Sequence, residues 1–241
     1  MPAPLLPPQF DAWFASRGWA ARAHQLELAR RGLAGQSTLL IAPTGAGKTL
    51  AGFLPSMIEL AAIAEAEGPR RPHRLHTLYI SPLKALTTDV ARNLSTPVRE
   101  MALPLRIESR TGDTKQSKKQ RQRDFPPDIL LTTPHKRQRQ RAHPPDMLLT
   151  TPEQLSLLIA SEHARVFFED LRVVVIDEIH ALAPTKRGDL LALALARLQR
   201  WAPAHRRVGL SATVADENAL ARWLMGVEPS PPSRGRGQGK G

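Results

Sequence analysis

Apolar positions along this chain fall into two alternating kinds. Short unbroken runs, Leu39-Leu40-Ile41, Leu78-Tyr79-Ile80 and Val173-Val174-Val175-Ile176, read as strands, and the last is β-branched enough for burial on both faces. Segments of helical periodicity lie between them. A prefix helix covers Ala20 to Arg31 with Leu26, Leu28 and Ala29 facing one way, after the aromatics Phe10, Trp13, Phe14 and Trp19. A second helix opens on Lys48-Thr49, runs through Leu60 and fades in the polar link Glu65 to His73, and a third runs from residues 81–86 toward Leu94 and Met101. Pro104 to Glu108 reads as a strand with proline first, and Glu153 to Leu158 as a helix with Pro152 at its first position. The helix Leu190 to Leu198 is apolar nearly all round, which predicts deep burial. Residues 207–213 form a last strand ending in hydroxyls, followed by a helix through Leu220 and Trp223. Strands alternating with helices in this way predict an α/β fold, a parallel sheet with helices on both faces.

One stretch breaks the alternation. Gln120-Arg121-Gln122-Arg123 followed by Pro126-Pro127-Asp128-Ile129-Leu130-Leu131-Thr132-Thr133-Pro134 recurs eighteen residues later as Gln138-Arg139-Gln140-Arg141 and Pro144-Pro145-Asp146-Met147-Leu148-Leu149-Thr150-Thr151-Pro152. With two copies only, this is a tandem duplication and not a solenoid. Both copies offer the same strand. Only the second leads into a helix, with Thr151 to cap, Glu153 for the dipole and Leu155, Leu157 and Leu158 to bury, so the second is expected to take the place in the sheet and the first to loop out. The expected organisation is a helical prefix over 1–34, one α/β domain over 35–226 carrying the duplicated insert at about 117–145, and a disordered tail over 227–241, too polar to bury a core.

Composition narrows the setting. The 241 residues suffice for one sizeable domain and are marginal for two. With no cysteine there is no disulfide framework and no thiolate metal site, which suits a reducing compartment. The start lacks a basic n-region, its apolar run is too short for a signal peptide, and there is no 18-residue apolar stretch, so the expectation is a cytoplasmic protein with no membrane partner. Net charge is +12 and uneven, with nine Lys/Arg against Asp124 and Asp128 over residues 115–143, a local +7 that fits a polyanion partner.

The chemistry centres on Ala42-Pro43-Thr44-Gly45-Ala46-Gly47-Lys48-Thr49, a small-residue loop between an apolar strand and a helix. Such a loop curls its backbone N–H groups around phosphate, with Lys48 as a point charge on the β- and γ-phosphates and the Thr49 hydroxyl a ligand for Mg²⁺. Gln25, some twenty residues earlier, carries an amide able both to donate to and to accept from an adenine edge. The strand Val173–Ile176 delivers Asp177-Glu178-Ile179-His180 to the carboxyl edge of the sheet, where ligands bind in open α/β folds. Asp177 is placed to hold Mg²⁺ and Glu178 to polarise an attacking water.

These segments resemble a superfamily 2 helicase of the DExH type. APTGAGKT (42–49), SPLKAL (81–86), RTGDT (110–114), TTPEQL (150–155), DEIH (177–180) and SAT (211–213) are similar to its motifs in order. The stretches around Trp13 to Gln25, LHTLYISPLKALTTDVARNL and KRGDLLALALARL resemble more narrowly the Lhr-like helicases, in their ligase-associated DNA damage response branch. The resemblance implies a RecA-like fold, ATP and Mg²⁺ as cofactors, and 3′-to-5′ translocation on DNA, single-stranded or 3′-tailed, in repair, with a DNA ligase and a nuclease as partners. By it Gln25 meets adenine, Thr44 to Thr49 hold the phosphates, and His180, Ser211 and Thr213 couple nucleotide state to strand movement. Pro82, Lys84, Thr111, Gly112, Thr151 and Pro152 line the nucleic-acid path. The family continues into a second RecA-like domain that supplies an arginine finger, so this chain alone is expected to bind ATP, hydrolyse it feebly and not unwind. A non-catalytic ATP- and nucleic-acid-binding module is the alternative.

Overall fold

The computed structural model describes residues 5–68, 71–82, 89–110, 114–132 and 144–226. Their centre is a seven-stranded sheet in the order β1-β7-β6-β2-β5-β4-β3, with every pairing parallel. The strands are β1 (Thr38–Ile41), β2 (Thr77–Ile80), β3 (Ile107–Arg110), β4 (Ile129–Thr132), β5 (Met147–Thr150), β6 (Val173–Ile176) and β7 (Arg206–Ser211). The described helices are α1 (Pro8–Ser16), α2 (Ala23–Leu33), α3 (Lys48–Glu67), α4 (Asp89–Glu100), α5 (Gln116–Asp124), α6 (Pro152–Ile159), α7 (Ala164–Phe168), α8 (Ile179–Leu182), α9 (Lys186–Trp201) and α10 (Glu217–Met225).

Period-two alternation divides the core. Tyr79, Ile129, Leu131, Met147, Leu149, Val173, Val175, Val208 and Leu210 join the cluster under α1 to α4. Leu78, Ile80, Leu130, Leu148, Val174 and Ile176 join the cluster under α6 to α10. Phe10, Trp13, Phe14, Leu28 and Ala29 of the prefix belong to the first cluster, so α1 and α2 share the core of the sheet domain. Helix α3 lies at its heart. It is the one described helix long and apolar enough to cross a membrane, and 61% of that window is buried inside the fold. Gly52 permits its close approach to the sheet, since a Cβ there would stand 2.7 Å from Leu210 Cδ1 and 3.4 Å from Val175 Cγ1.

The structure corrects the expected fate of the duplication. The second copy enters the sheet as β5, but the first does not loop out: it is β4, inserted between β5 and β3. Matching residues of the copies lie side by side, Ile129 against Met147, Leu130 against Leu148 and Leu131 against Leu149. Burial decides this. Ile129, Leu130 and Leu131 are at most 4% exposed, and looping them out would forfeit about 1.5–3 kcal/mol for each, on top of roughly 1 kcal/mol of loop entropy. A parallel strand also needs no helix after it, only a dozen or so residues to return across the sheet, which the eighteen-residue repeat supplies. The copies divide the neighbours between them, β4 pairing with β3 and β5 with β2.

Helix α9 is also less buried than its composition predicts. Leu191, Leu195 and Leu198 face the core, while Leu193 is 72% exposed. In α6, Leu155 and Leu158 are buried and Leu157 faces out. The third strand begins at Ile107, later than expected, because Leu103 and Leu105 turn into the core first. The expected tail at 227–241 and the basic tract at 133–143 lie outside the described residues.

Candidate nucleotide site at the carboxyl edge

Because all seven strands run the same way, the segments after β1, β2, β5, β6 and β7 emerge at one edge of the sheet. The 42–49 loop follows β1, Pro82 follows β2, Thr151 follows β5, Asp177 follows β6 and Ala212 follows β7. In spatial order β1, β7 and β6 are adjacent, so the loop, the 211–213 hydroxyls and the acid pair meet.

The loop is built on left-handed glycines, Gly45 at φ 80 and Gly47 at φ 78. At Gly47 a side chain is excluded twice, because a Cβ would also stand 2.9 Å from Gln25 Nε2. Helix α2 clamps the loop from outside. The Gln25 side chain accepts from the Arg22 N–H at 2.9 Å and donates to the Gly47 carbonyl at 3.4 Å, and His24 Nε2 lies 2.9 Å from the Ala46 carbonyl. Lys48 opens α3 and is buried, its ammonium donating to the carbonyls of Ala42 at 2.8 Å and Pro43 at 3.1 Å. Phe14, Trp19, Arg22, Gln25, Thr44, Thr49 and Glu178 line one cleft of 650 Å³ with Gly45, Gly47 and Lys48. Aromatic rings and the acid both border it.

The acid pair is positioned by strain and by a phenol. Glu178 sits at φ 48, ψ 41, a left-handed conformation costing a non-glycine residue of order 1–3 kcal/mol. Asp177 is buried; its Oδ2 accepts from the Tyr79 hydroxyl at 2.7 Å and its Oδ1 from the Glu178 N–H at 3.0 Å. Burial pushes the Asp177 carboxyl above the usual aspartate range, against the opposing pull of the Tyr79 bond. Burial likewise raises the Tyr79 phenol well above its ordinary value. Among the described residues neither Asp177 nor Glu178 pairs with Lys or Arg within 4.0 Å. A buried carboxylate without such a partner, next to Glu178 of the cleft that Thr49 also lines, is an oxygen donor set that fits Mg²⁺.

His180 joins two of the motifs. Its Nδ1 accepts from the Ala212 N–H at 3.3 Å, which leaves the ring proton on Nε2, facing Glu178 Oε2 at 3.4 Å. Ser211 is fully buried and donates to the Ala212 carbonyl at 2.7 Å, whereas Thr213 is exposed. Of the nucleic-acid candidates, Lys84, Thr111 and Gly112 lie outside the described residues. Pro82 is half-buried; Thr151 and Pro152 are buried, with the Thr151 hydroxyl capping α6 through the Gln154 N–H at 3.4 Å. Tyr79 is the functional residue that sequence reasoning passes over, because in Leu78-Tyr79-Ile80 it reads as one more core aromatic.

A second polar cluster occupies the opposite edge. Arg71 Nη2 donates to Asp128 Oδ1 at 2.7 Å and to Asp146 Oδ2, while His73 Nδ1 lies 3.0 Å from Asp146 Oδ2. The two aspartates are equivalent positions of the duplication. His73, Asp128 and Asp146 bring ligand-type atoms within 4.8 Å of one another, but the Arg71 guanidinium already bonds both carboxylates, so the cluster reads as an ion clamp.

A parallel sheet with a phosphate loop after β1 and an acid pair after β6, one strand removed across β7, defines a RecA-like nucleotide-binding domain of the helicase kind. The chain belongs to the DEAD/DEAH box helicase family, whose pattern matches residues 22–221. It is 42% identical over 209 residues to the Lhr helicase/probable uracil glycosylase of Mycolicibacterium smegmatis, covering 81% of this chain and 12% of that one. It is 39% identical over 201 residues to the ATP-dependent helicase Lhr-Core of Methanothermobacter thermautotrophicus, covering 80% and 21%. The solved Mycobacterium smegmatis helicase Lhr bound to ssDNA and AMP-PNP superposes with a TM-score of 0.71 at 35% identity, over 92% of this chain and 27% of that one. The chain thus spans about a fifth or less of these curated relatives.

Proposed function

We propose that this chain is the first RecA-like motor domain of an ATP-driven DNA helicase. The observation that carries the reading is the convergence of Lys48, Thr49 and Glu178 on one cleft, with Asp177 held beside it. Loop N–H groups and the α3 N-terminus receive the phosphates, the Lys48 ammonium exchanges its carbonyl partners for phosphate oxygens, and the Gln25 end of the cleft takes the adenine. Asp177 and Thr49 would hold Mg²⁺, which when bound neutralises charge on the β- and γ-phosphates. Glu178, fixed at the cleft by its strained backbone, orients and deprotonates water. His180 reports the state of Glu178 to Ala212 and the 211–213 segment through its two ring nitrogens.

DNA as the partner is supported by the likeness to a helicase solved with ssDNA and AMP-PNP. By the family resemblance we assign its track to Pro82, Lys84, Thr111 and Gly112, with the buried Thr151 and Pro152 shaping the turn into α6 behind it. We place the activity in cytoplasmic DNA repair, alongside a ligase and a nuclease, and assign the arginine finger to a second RecA-like domain. Fluorescence anisotropy with a labelled ATP analogue, and phosphate release with and without single-stranded DNA, test the reading. Magnesium-dependent nucleotide binding and salt-sensitive DNA binding are expected. A chain that binds no nucleotide refutes it.

A further inference from the structure

We infer that Tyr79 is a positioning residue for Asp177, holding its carboxylate in the orientation that metal-dependent nucleotide binding requires. The inference rests on the proposed nucleotide site and deepens it.

Tyr79 is the only tyrosine in the chain, and it stands in the middle of the buried strand β2. A phenol on a fully buried strand costs free energy unless its hydroxyl finds a partner, and an apolar ring would fill the same space without that demand. The partner is Asp177 Oδ2 at 2.7 Å. The Glu178 N–H occupies the other oxygen at 3.0 Å, so two donors, one on each oxygen, fix the plane of the carboxylate. The ring is itself held, lying parallel to Phe53 of α3 with centroids 4.4 Å apart. The Thr49 side chain interacts with the same phenol, working against the effect of burial on it. Tyr79 therefore stands between Thr49 of the loop side and Asp177 of the acid side, and the helix that carries the loop braces it from behind.

Tyr79→Phe keeps the ring and its stacking and removes only the bond. With a fluorescent ATP analogue bound to the 241-residue chain, the Mg²⁺ concentration at half-saturation should rise roughly tenfold, as loss of a hydrogen bond to a charged group implies, while affinity in EDTA stays unchanged. An unchanged Mg²⁺ midpoint, or equal losses with and without metal, overturns the inference. A second measurement needs no nucleotide. In chain labelled with ¹³C-tyrosine a single set of ring signals reports Tyr79, and Asp177→Ala should shift it; signals that ignore Asp177→Ala overturn the contact. Should the wild-type chain bind no nucleotide in either condition, the helicase reading fails, and the tyrosine signal still decides whether Tyr79 holds Asp177.

Discussion

Charged side chains gather at both edges of the sheet, and the two edges treat them in opposite ways. At the amino edge charge is set against opposite charge. Arg71 bridges Asp128 and Asp146, His73 backs the second, the Arg106 N–H caps the first at 2.7 Å, and Arg206 pairs with Glu59 at 2.6 Å. At the nucleotide site charges are held by dipoles instead, Lys48 by two carbonyls and Asp177 by a phenol and an N–H, while Glu178 stands on a strained backbone. An answered charge steadies the fold, whereas a charge held by weak dipoles stays ready for an incoming ligand. The contrast separates stability from chemistry in space, and substitutions can break it.

The largest effect belongs to the carboxyl edge. Glu178→Gln should keep nucleotide binding and lose residual turnover by about 10²–10⁴-fold, and Lys48→Ala should weaken nucleotide binding by about 100-fold, both with little change in unfolding temperature. Calorimetry beside phosphate release checks this, and a large loss of stability in either variant breaks the contrast.

At the amino edge the expected pattern reverses. Arg71→Met leaves two buried carboxylates facing each other and should cost about 3–5 kcal/mol in urea unfolding, with nucleotide affinity unchanged in whatever remains folded. Restoring much of that loss with Asp128→Asn in the same background would tie the cost to the carboxylates.

A smaller effect concerns pH. Burial, with help from Arg206 and Arg172, lowers the His76 imidazole from the ordinary 6.5 to about 4, while Glu59 stands 3.5 Å from its Nε2 and Thr77 Oγ1 2.8 Å from its Nδ1. The folded value lies below the unfolded one, so this stabilisation is complete above pH 6.5 and drains away as pH falls toward 4, by at most about 3 kcal/mol. Urea midpoints from about pH 7 to about pH 4 should fall accordingly, and His76→Gln should flatten the slope.

The smallest effect is expected from deleting 124–141. That joins α5 to β5, gives β3 a partner that differs from β4 only in Met147 for Ile129, and should leave nucleotide affinity within about twofold. A tenfold change would mean the duplicated end and the nucleotide end are coupled.

How much of this is legible in the sequence depends on the range of the forces involved. The phosphate loop, the acid pair and the 211–213 hydroxyls each lie within one strand-to-loop junction, and local pattern exposes them. Tyr79 and Asp177 are far apart in sequence, as are Arg71 and its two aspartates, and nothing local distinguishes a phenol or an arginine that will find its partner across the sheet from one that will not. The fate of the first repeat escapes local reading for a related reason. The local rule weighs the residues after Thr133, whereas the outcome depends on burying Ile129, Leu130 and Leu131 between two strands distant from that rule's reach.

The ion clamp at Arg71 bears on how far the duplication could be carried. Neighbouring strands that are copies of one another present nearly the same edges to β2 and β3. Each added unit, however, carries its own aspartate to the same buried edge, and one guanidinium already spans the pair present. A third unit would bring a third carboxylate to the same buried edge, where a single guanidinium already bonds two. The clamp thus ties the number of strand copies to one shared cation, because each further copy adds an aspartate while Arg71 stays single.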